Sequence, residues 1–390
     1  MRHIIIYGMA NLVDYVNWRG DLSFEQDPFN EVDALFFSCI SYVDFSGIVT
    51  EGTSISLSDA SDLFFQIHTQ EERDADKSFI RFAYHLMKKA AYVPRYANVI
   101  LSDYVDHTDP ANLIQFAVVS VRYAPSEVFI AFRGTDDTIV GWKEDFYLSY
   151  AQISSEAESL EYLNSVQSGR LDRIRMGGHS KGGHLAIFSA METDKEIQDR
   201  IDGIYDFDGP GFNDEVKETD KFKNIGSKIF RVIPENSVIG RLLSDTAVPL
   251  VVSSTEKGIM QHDPLSWGIE GKKFVAMEKT SVASDVFDEI LTQWITEMKQ
   301  DEKKQFIDDL FSVLEASGET NVSQISTVSL VEVKAMLDRM HALRRDSQAV
   351  IRKLLRLFID NWGDVLLARS RNNREEITTP LRKLIEAKKV

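Results

Sequence analysis

One cysteine in 390 residues, Cys39, rules out an intrachain disulfide. That economy suits a reducing compartment, so a cytoplasmic location is expected. Cys39 lies in the apolar stretch Ala34-Leu-Phe-Phe-Ser-Cys-Ile40 and reads as a packed thiol rather than a reactive one. Positive charge is also scarce, with 44 Lys+Arg against 61 Asp+Glu and a formal net charge of -17. This excludes a broad nucleic-acid interface and strong electrostatic docking on an anionic membrane, but leaves neutral lipids open. The deficit lies early in the chain, because residues from 281 onward hold 17 Lys+Arg against 18 Asp+Glu. No run approaches the ~18 apolar residues of a membrane span, and Met1-Arg-His-Ile-Ile-Ile-Tyr-Gly8 is too short for a secretory signal. C-x-x-C, H-E-x-x-H and P-loop patterns are missing, so no metal or cofactor is expected. Asp136-Asp137 reads as a solvated pair.

What is present is ordinary globular material, with 43% hydrophobic residues. The length suggests a large domain with an appendage, divided at 1–280 and 281–390. The first 95 residues read as helices, including Glu31–Ser41 capped by Asn30 or Asp27 and two more near 59–70 and 77–90. The period then shortens to two. Asn98–Asp103, Leu113–Arg122 and Glu127–Phe132 read as an antiparallel meander, with turns at His107-Thr-Asp-Pro110 and Ala124-Pro-Ser126. From there helices near 142–149, 157–167, 182–191 and 213–219 alternate with strands at 171–176, 203–207, 228–233 and 247–252. A last strand is expected at Lys273–Ala276. This alternation predicts an α/β fold with a mostly parallel central sheet flanked by helices. Beyond 284 only helices are expected, near 284–299, 301–316, 327–345, 346–359 and 378–388, with a loop at Arg369–Asn373. They read as a helical appendage packed on itself or on the core, or as a surface for a protein partner or a second copy.

The stretch that organises the chain is Gly178-His179-Ser180-Lys181-Gly182, a G-x-S-x-G with a strand before it and a helix after it. That context is what a nucleophile elbow needs. The glycines admit a sharp turn, and the serine stands above the strand end at a helix N-terminus. A serine nucleophile needs a base, and in this fold the order is serine, acid, histidine. At or after Ser180 the histidines are His184, His262 and His341. His184 emerges on the wrong part of the helix and His341 lies in the helical tail. His262 follows a late strand in a loop fixed by Asp263-Pro264, so it is the expected base. The acid ranks as Asp208 first, then Glu235, then Asp245; Asp206, two residues before Asp208, would point the same way along a regular strand. The oxyanion hole should use the N–H of Lys181, after the nucleophile, and that of Thr135 in the loop after strand 127–132.

Phe132-Arg-Gly-Thr135 followed by Trp142-Lys-Glu-Asp145 resembles the oxyanion-loop segment of the class 3 (fungal-type) lipases, and the G-H-S-x-G elbow matches theirs. Four stretches are more specifically similar to a bacterial α/β-hydrolase family related to those lipases, the Mbeg-like family. They are Asn11–Asp44, Gly177–His184, Phe207-Asp-Gly-Pro-Gly-Phe212 and Gly258-Ile-Met-Gln-His-Asp-Pro264, which span most of residues 1–270. The resemblance implies an α/β-hydrolase fold and a lipase- or esterase-like activity. Class 3 lipases carry their acid in an N-D-x-V-P segment, where this chain reads Glu235-Asn-Ser-Val-Ile-Gly240, with Asn236 or Ser237 in the place of the aspartate. That departure favours Asp208. The expectation is a serine hydrolase for small-molecule or lipid esters. Rival readings are an acyltransferase or thioesterase with the same triad, and a non-catalytic interaction protein that keeps the fold.

Overall fold

The computed structural model describes residues 9–50, 52–75, 78–109, 114–136, 138–148, 153–243, 245–280, 300–320, 330–344, 347, 348 and 351. Helices α1 (Leu12–Arg19) and α2 (Glu31–Ile40) open it. Asn11 and Asn30 cap them, and Asp14 and Asp33 return the bond to the cap N–H. Each reciprocal cap satisfies N–H groups that a helix start otherwise leaves unpaired. Strand β1 (Ser54–Ser56), helices α3 (Leu57–Ile67), α4 (Gln70–Ala75) and α5 (Phe82–Ala90) follow. β1 is not in the sequence expectation, because three residues are too few to show alternation.

Strands β2 (Ile100–Asp109), β3 (Ile114–Ala124) and β4 (Glu127–Phe132) form the expected meander. The turn expected at His107 is displaced: His107 pairs with Phe116 and Thr108 with Gln115. A bulge between Ser102 and Val105, with Asp103 at φ 54°, bends β2 and lets it run on. Then come α6 (Ile139–Tyr147), α7 (Ser154–Gln167), β5 (Arg173–His179), α8 (Lys181–Glu192), α9 (Lys195–Gln198) and β6 (Ile201–Phe207). They are followed by α10 (Asp214–Lys217), α11 (Asp220–Ile225), β7 (Ile229–Pro234) and β8 (Leu250–Val252).

The eight strands lie in sequence order in one sheet, antiparallel from β1 to β4 and parallel from β4 to β8. This is an α/β-hydrolase fold. The sequential parallel order has a consequence for packing. Crossovers of one hand place their helices on one face, and α7, α8 and α11 share a buried cluster with that face through Leu163, Leu185, Ile187 and Phe222. The opposite face would be open to water. It is closed by the N-terminal helices, with Phe36, Phe37 and Leu35 of α2 and Leu86 and Met87 of α5 packed against Val119, Phe129 and Phe207. Helices α1, α2, α3 and α5 therefore form the second helical layer of the core.

The strand expected at Lys273–Ala276 does not complete the sheet. β9 (Ile269–Glu270) and β10 (Lys273–Phe274) turn on Gly271 into a separate hairpin, and only a single bridge joins Ala276 to Val252. β8, three residues long, offers too short an edge for a ninth strand. Helices α12 (Gln300–Glu315) and α13 (Leu330–His341) represent the helical tail. The helices expected at 284–299 and 378–388, most of that at 346–359 and the loop at 369–373 lie outside the described residues. α12 packs onto the hydrolase core: Phe306, Leu310 and Phe311 bury against Ile139, Phe146 and Val238. Tyr147 donates to Asp308 at 2.6 Å.

Candidate active site

β5 lies between β4 and β6 in the parallel part of the sheet and ends at His179. Ser180 follows with φ 57° and ψ -136°, a backbone region costly for a side-chain-bearing residue. Its N–H donates to Phe207 O at 2.9 Å and its carbonyl accepts from Gly183 N–H at 2.9 Å, so both ends of the strained residue are held. α8 starts at Lys181. Glycine is required at 182, because a Cβ there would strike the Phe132 carbonyl and push α8 off β4. At Gly134 a Cβ would lie 2.9 Å from Ser180 Cβ, which places the loop after β4 directly against the serine.

His262 sits at the end of a 3-10 turn, Gly258–His262. Its Nδ1 lies 2.6 Å from Asp208 Oδ2. The acceptor is a carboxylate, so Nδ1 carries the proton and the neutral ring leaves Nε2 with a lone pair. Asp208 is fully buried at φ 57°, one residue past β6, with its N–H on Val232 O at 2.7 Å. Its second oxygen accepts from Ser237 Oγ at 2.5 Å. The left-handed residue breaks the strand's alternation, so Asp206 and Asp208 do not point the same way. Asp206 pairs with buried Arg231 and accepts from Gly209 N–H. His262 is also fixed through its backbone: its carbonyl accepts from His179 Nε2–H at 2.8 Å, and the two rings lie 4.4 Å apart. Ser180 Oγ and His262 Nε2 are not hydrogen-bonded to each other here. Such bonds commonly tighten only when substrate is bound.

On the other side of Ser180, Thr135 donates its hydroxyl to Asp145 at 2.7 Å, and both are buried. Burial outweighs the nearby Lys181 charge and the Thr135 hydrogen bond, pushing the Asp145 carboxyl up to about 7. The Lys181 ammonium is buried on Glu144 of α6 and Gln115 O. Lys181 N–H, in the first turn of α8, has no intrahelical acceptor.

A family model matches residues 90–312 and is described as Mbeg1-like. The chain belongs to the Mbeg1-like family. The match starts later than the resembling stretches and reaches further, into α12; it contains Thr135, Ser180, Asp208 and His262. No curated protein matches this Mbeg1-like chain. Among solved structures, the crystal structure of M37 lipase is similar at 18% identity and a TM-score of 0.33, covering 55% of this chain and 69% of that one.

The other sequence candidates fall elsewhere in the Mbeg1-like chain. Glu235 follows β7 and makes no hydrogen bond with His262; its N–H donates to Val252 O. Asp245 lies against Arg231 and Arg241. His184 is buried between Glu156 and the Pro210 and Gly211 carbonyls, and His341 ends α13. Sequence reasoning missed Ser237 as the partner of the acid, Tyr42, whose OH lies 2.9 Å from His179 Nδ1, and Glu144 as the partner of Lys181. Burial pushes the His179 imidazole well below its usual range and keeps it neutral beside His262. The signal for Ser237 was its place in Asn236-Ser237-Val238, where class 3 lipases carry the acid. Tyr42 gave none. Among the described residues no metal-binding cluster occurs and no helix is long and apolar enough to cross a membrane.

Proposed function

We propose that the protein is a serine hydrolase that cleaves carboxyl esters, with lipid or other acyl esters as its substrates. The single observation that carries this is the 2.6 Å bond between His262 Nδ1 and buried Asp208, set beside a strained serine at a helix N-terminus. Ser180 Oγ attacks the ester carbonyl while His262 Nε2 takes its proton. Asp208 stabilises the imidazolium and holds its tautomer. The Lys181 and Thr135 N–H groups receive the oxyanion. His262 then protonates the departing alcohol, and the same groups activate water to release the acid from the acyl-enzyme. The division into 1–280 and 281–390, with the second part offering a surface to a partner or a second copy, belongs to the same reading, as does a cytoplasmic location.

A fluorophosphonate probe tests it. The expected result is labelling of the wild type that vanishes in Ser180→Ala, with p-nitrophenyl ester turnover lost in parallel. An unlabelled wild type, alongside a control hydrolase that reacts, would sink the reading. Added alcohol or coenzyme-A thioesters separate an acyltransferase or thioesterase from an esterase by their products.

A further inference from the structure

The residue after the nucleophile of an elbow pattern is open to many side chains, yet here it is a lysine with no exposure. Its Nζ donates to Glu144 Oε2 at 2.5 Å and to Gln115 O at 2.8 Å. The other Glu144 oxygen accepts from buried Ser155 at 2.7 Å. Replacing a buried ion pair by apolar residues of similar volume is often neutral or stabilising, so stability alone does not explain this one. What it joins is more informative. Lys181 supplies one oxyanion N–H. Thr135 supplies the other, and its hydroxyl is held by Asp145, the residue next to Glu144 on α6. Gln115 belongs to the same assembly: its carbonyl accepts from Lys181, and its side-chain oxygen accepts from Asp136 N–H, one residue past Thr135. Two consecutive carboxylates of one helix turn, backed by one glutamine, thus take hold of both donor residues.

We propose that the Lys181–Glu144 ion pair is a positioning device that sets the spacing between the two oxyanion donors. The assignment rests on the serine hydrolase reading. A helix N-terminus can shift along its strand by a few tenths of an ångström, and an oxyanion hole of two separate segments has no covalent gauge. The ion pair supplies one by locking α8 to α6, while Asp145 locks the loop after β4 to the same helix. Neither side chain touches substrate; both act through backbone N–H groups.

The test is the double variant Lys181→Met/Glu144→Met, which removes both charges of the ion pair together. Misplacement of reacting groups by about 1 Å costs on the order of 100-fold, so a shift of a few tenths of that is expected to lower kcat severalfold to about tenfold with KM little changed. Affinity for an alkyl trifluoromethyl ketone, whose hemiketal oxyanion needs both donors, falls by the same factor as kcat/KM, while Tm stays at or above the wild-type value. A folded double variant with wild-type kcat/KM and inhibitor affinity overturns the proposal. Should it fail to fold, Ser155→Ala removes only one bond to Glu144: a severalfold drop in kcat at constant KM supports the assignment and an unchanged kcat overturns it. A wild type that does not react with fluorophosphonate removes the hydrolase reading and this assignment with it. A reactive wild type with an equally active double variant removes this assignment alone.

Discussion

The two sides of Ser180 are built on different principles. On the base side a short chain of direct contacts, Ser237 to Asp208 to His262, ends in a free Nε2 at the C-terminal edge of the sheet. On the oxyanion side, in the proposed mechanism, the groups that face the reaction are backbone N–H groups, and side chains act on their residues only indirectly, through the two carboxylates of α6. The base side is held by loops that follow β6, β7 and β8. The oxyanion side is held by a helix whose outer face carries α12, with Phe146 against Phe311 at 5.4 Å. Direct contact makes a side chain indispensable to the chemistry. Action through backbone makes its contribution graded, so substitutions on the two sides should differ in size and in kind.

The largest effect is expected on the base side. Asp208→Asn keeps the shape of the acid but presents an amide that no longer enforces Nδ1–H or stabilises an imidazolium. Turnover should fall by roughly 10,000-fold, the scale seen when a triad aspartate is neutralised, with far-UV and near-UV circular dichroism unchanged. Glu235→Gln, at the position ranked second from sequence, should leave turnover within about twofold. The reverse outcome would move the acid and dissolve the comparison.

How much of this was legible depended on whether a residue acts locally. The elbow was readable because Gly178, Ser180 and Gly182 are close in sequence and their spacing states a backbone requirement. β3 to β7 were readable from β-branched and aromatic runs. His262, singled out because order in the chain left few histidines, is found against Asp208. Asp208 ranked first, but its separation from Asp206 was not readable, because the left-handed conformation at Asp208 turns it out of the strand pattern. Ser237, Tyr42 and Glu144 join the site across 29, 137 and 37 residues of sequence, and no periodic signal spans such distances. The N-terminal helices were seen as helices, but their place on the open face of the sheet follows from the strand order, which the sequence does not display.

A change of intermediate size should come from the charge on Asp145. Its carboxyl titrates near 7 when folded and near 3.8 when exposed. Between those values the folded chain binds more protons than the unfolded one, so this group lowers stability as pH rises through the window. The shift corresponds to at most about 4 kcal/mol. Asp145→Asn keeps an acceptor for Thr135 and removes the titration. The stability gap between variant and wild type, from urea unfolding at pH 5 and pH 8, should therefore move in the variant's favour at the higher pH. Lys181, Glu144 and His262, the titratable groups that act on Asp145, remain in both proteins and largely drop out of the difference. Parallel pH curves would mean that Asp145 stays ionised throughout, and the oxyanion side would then be no more strained by burial than the base side.

The smallest effect sharpens the comparison most. Thr135→Val deletes one hydroxyl, keeps the volume and leaves the Thr135 N–H in the chain. Loss of an actual oxyanion donor costs about 100- to 1,000-fold, but this hydroxyl only ties the donor's residue to α6, so kcat should fall roughly tenfold with KM unchanged. The partial loss follows from the geometry. Gly134 still lies against Ser180, and the Asp136 N–H bond to Gln115 at 3.1 Å still restrains the loop from its other end. Removing that second restraint as well, in Thr135→Val/Gln115→Leu, should cost more than the two single losses combined, because either tie alone can hold the loop while the other is absent. Strict additivity would mean that the two ties act on separate things, and that α6 does not gather the oxyanion donors into one unit.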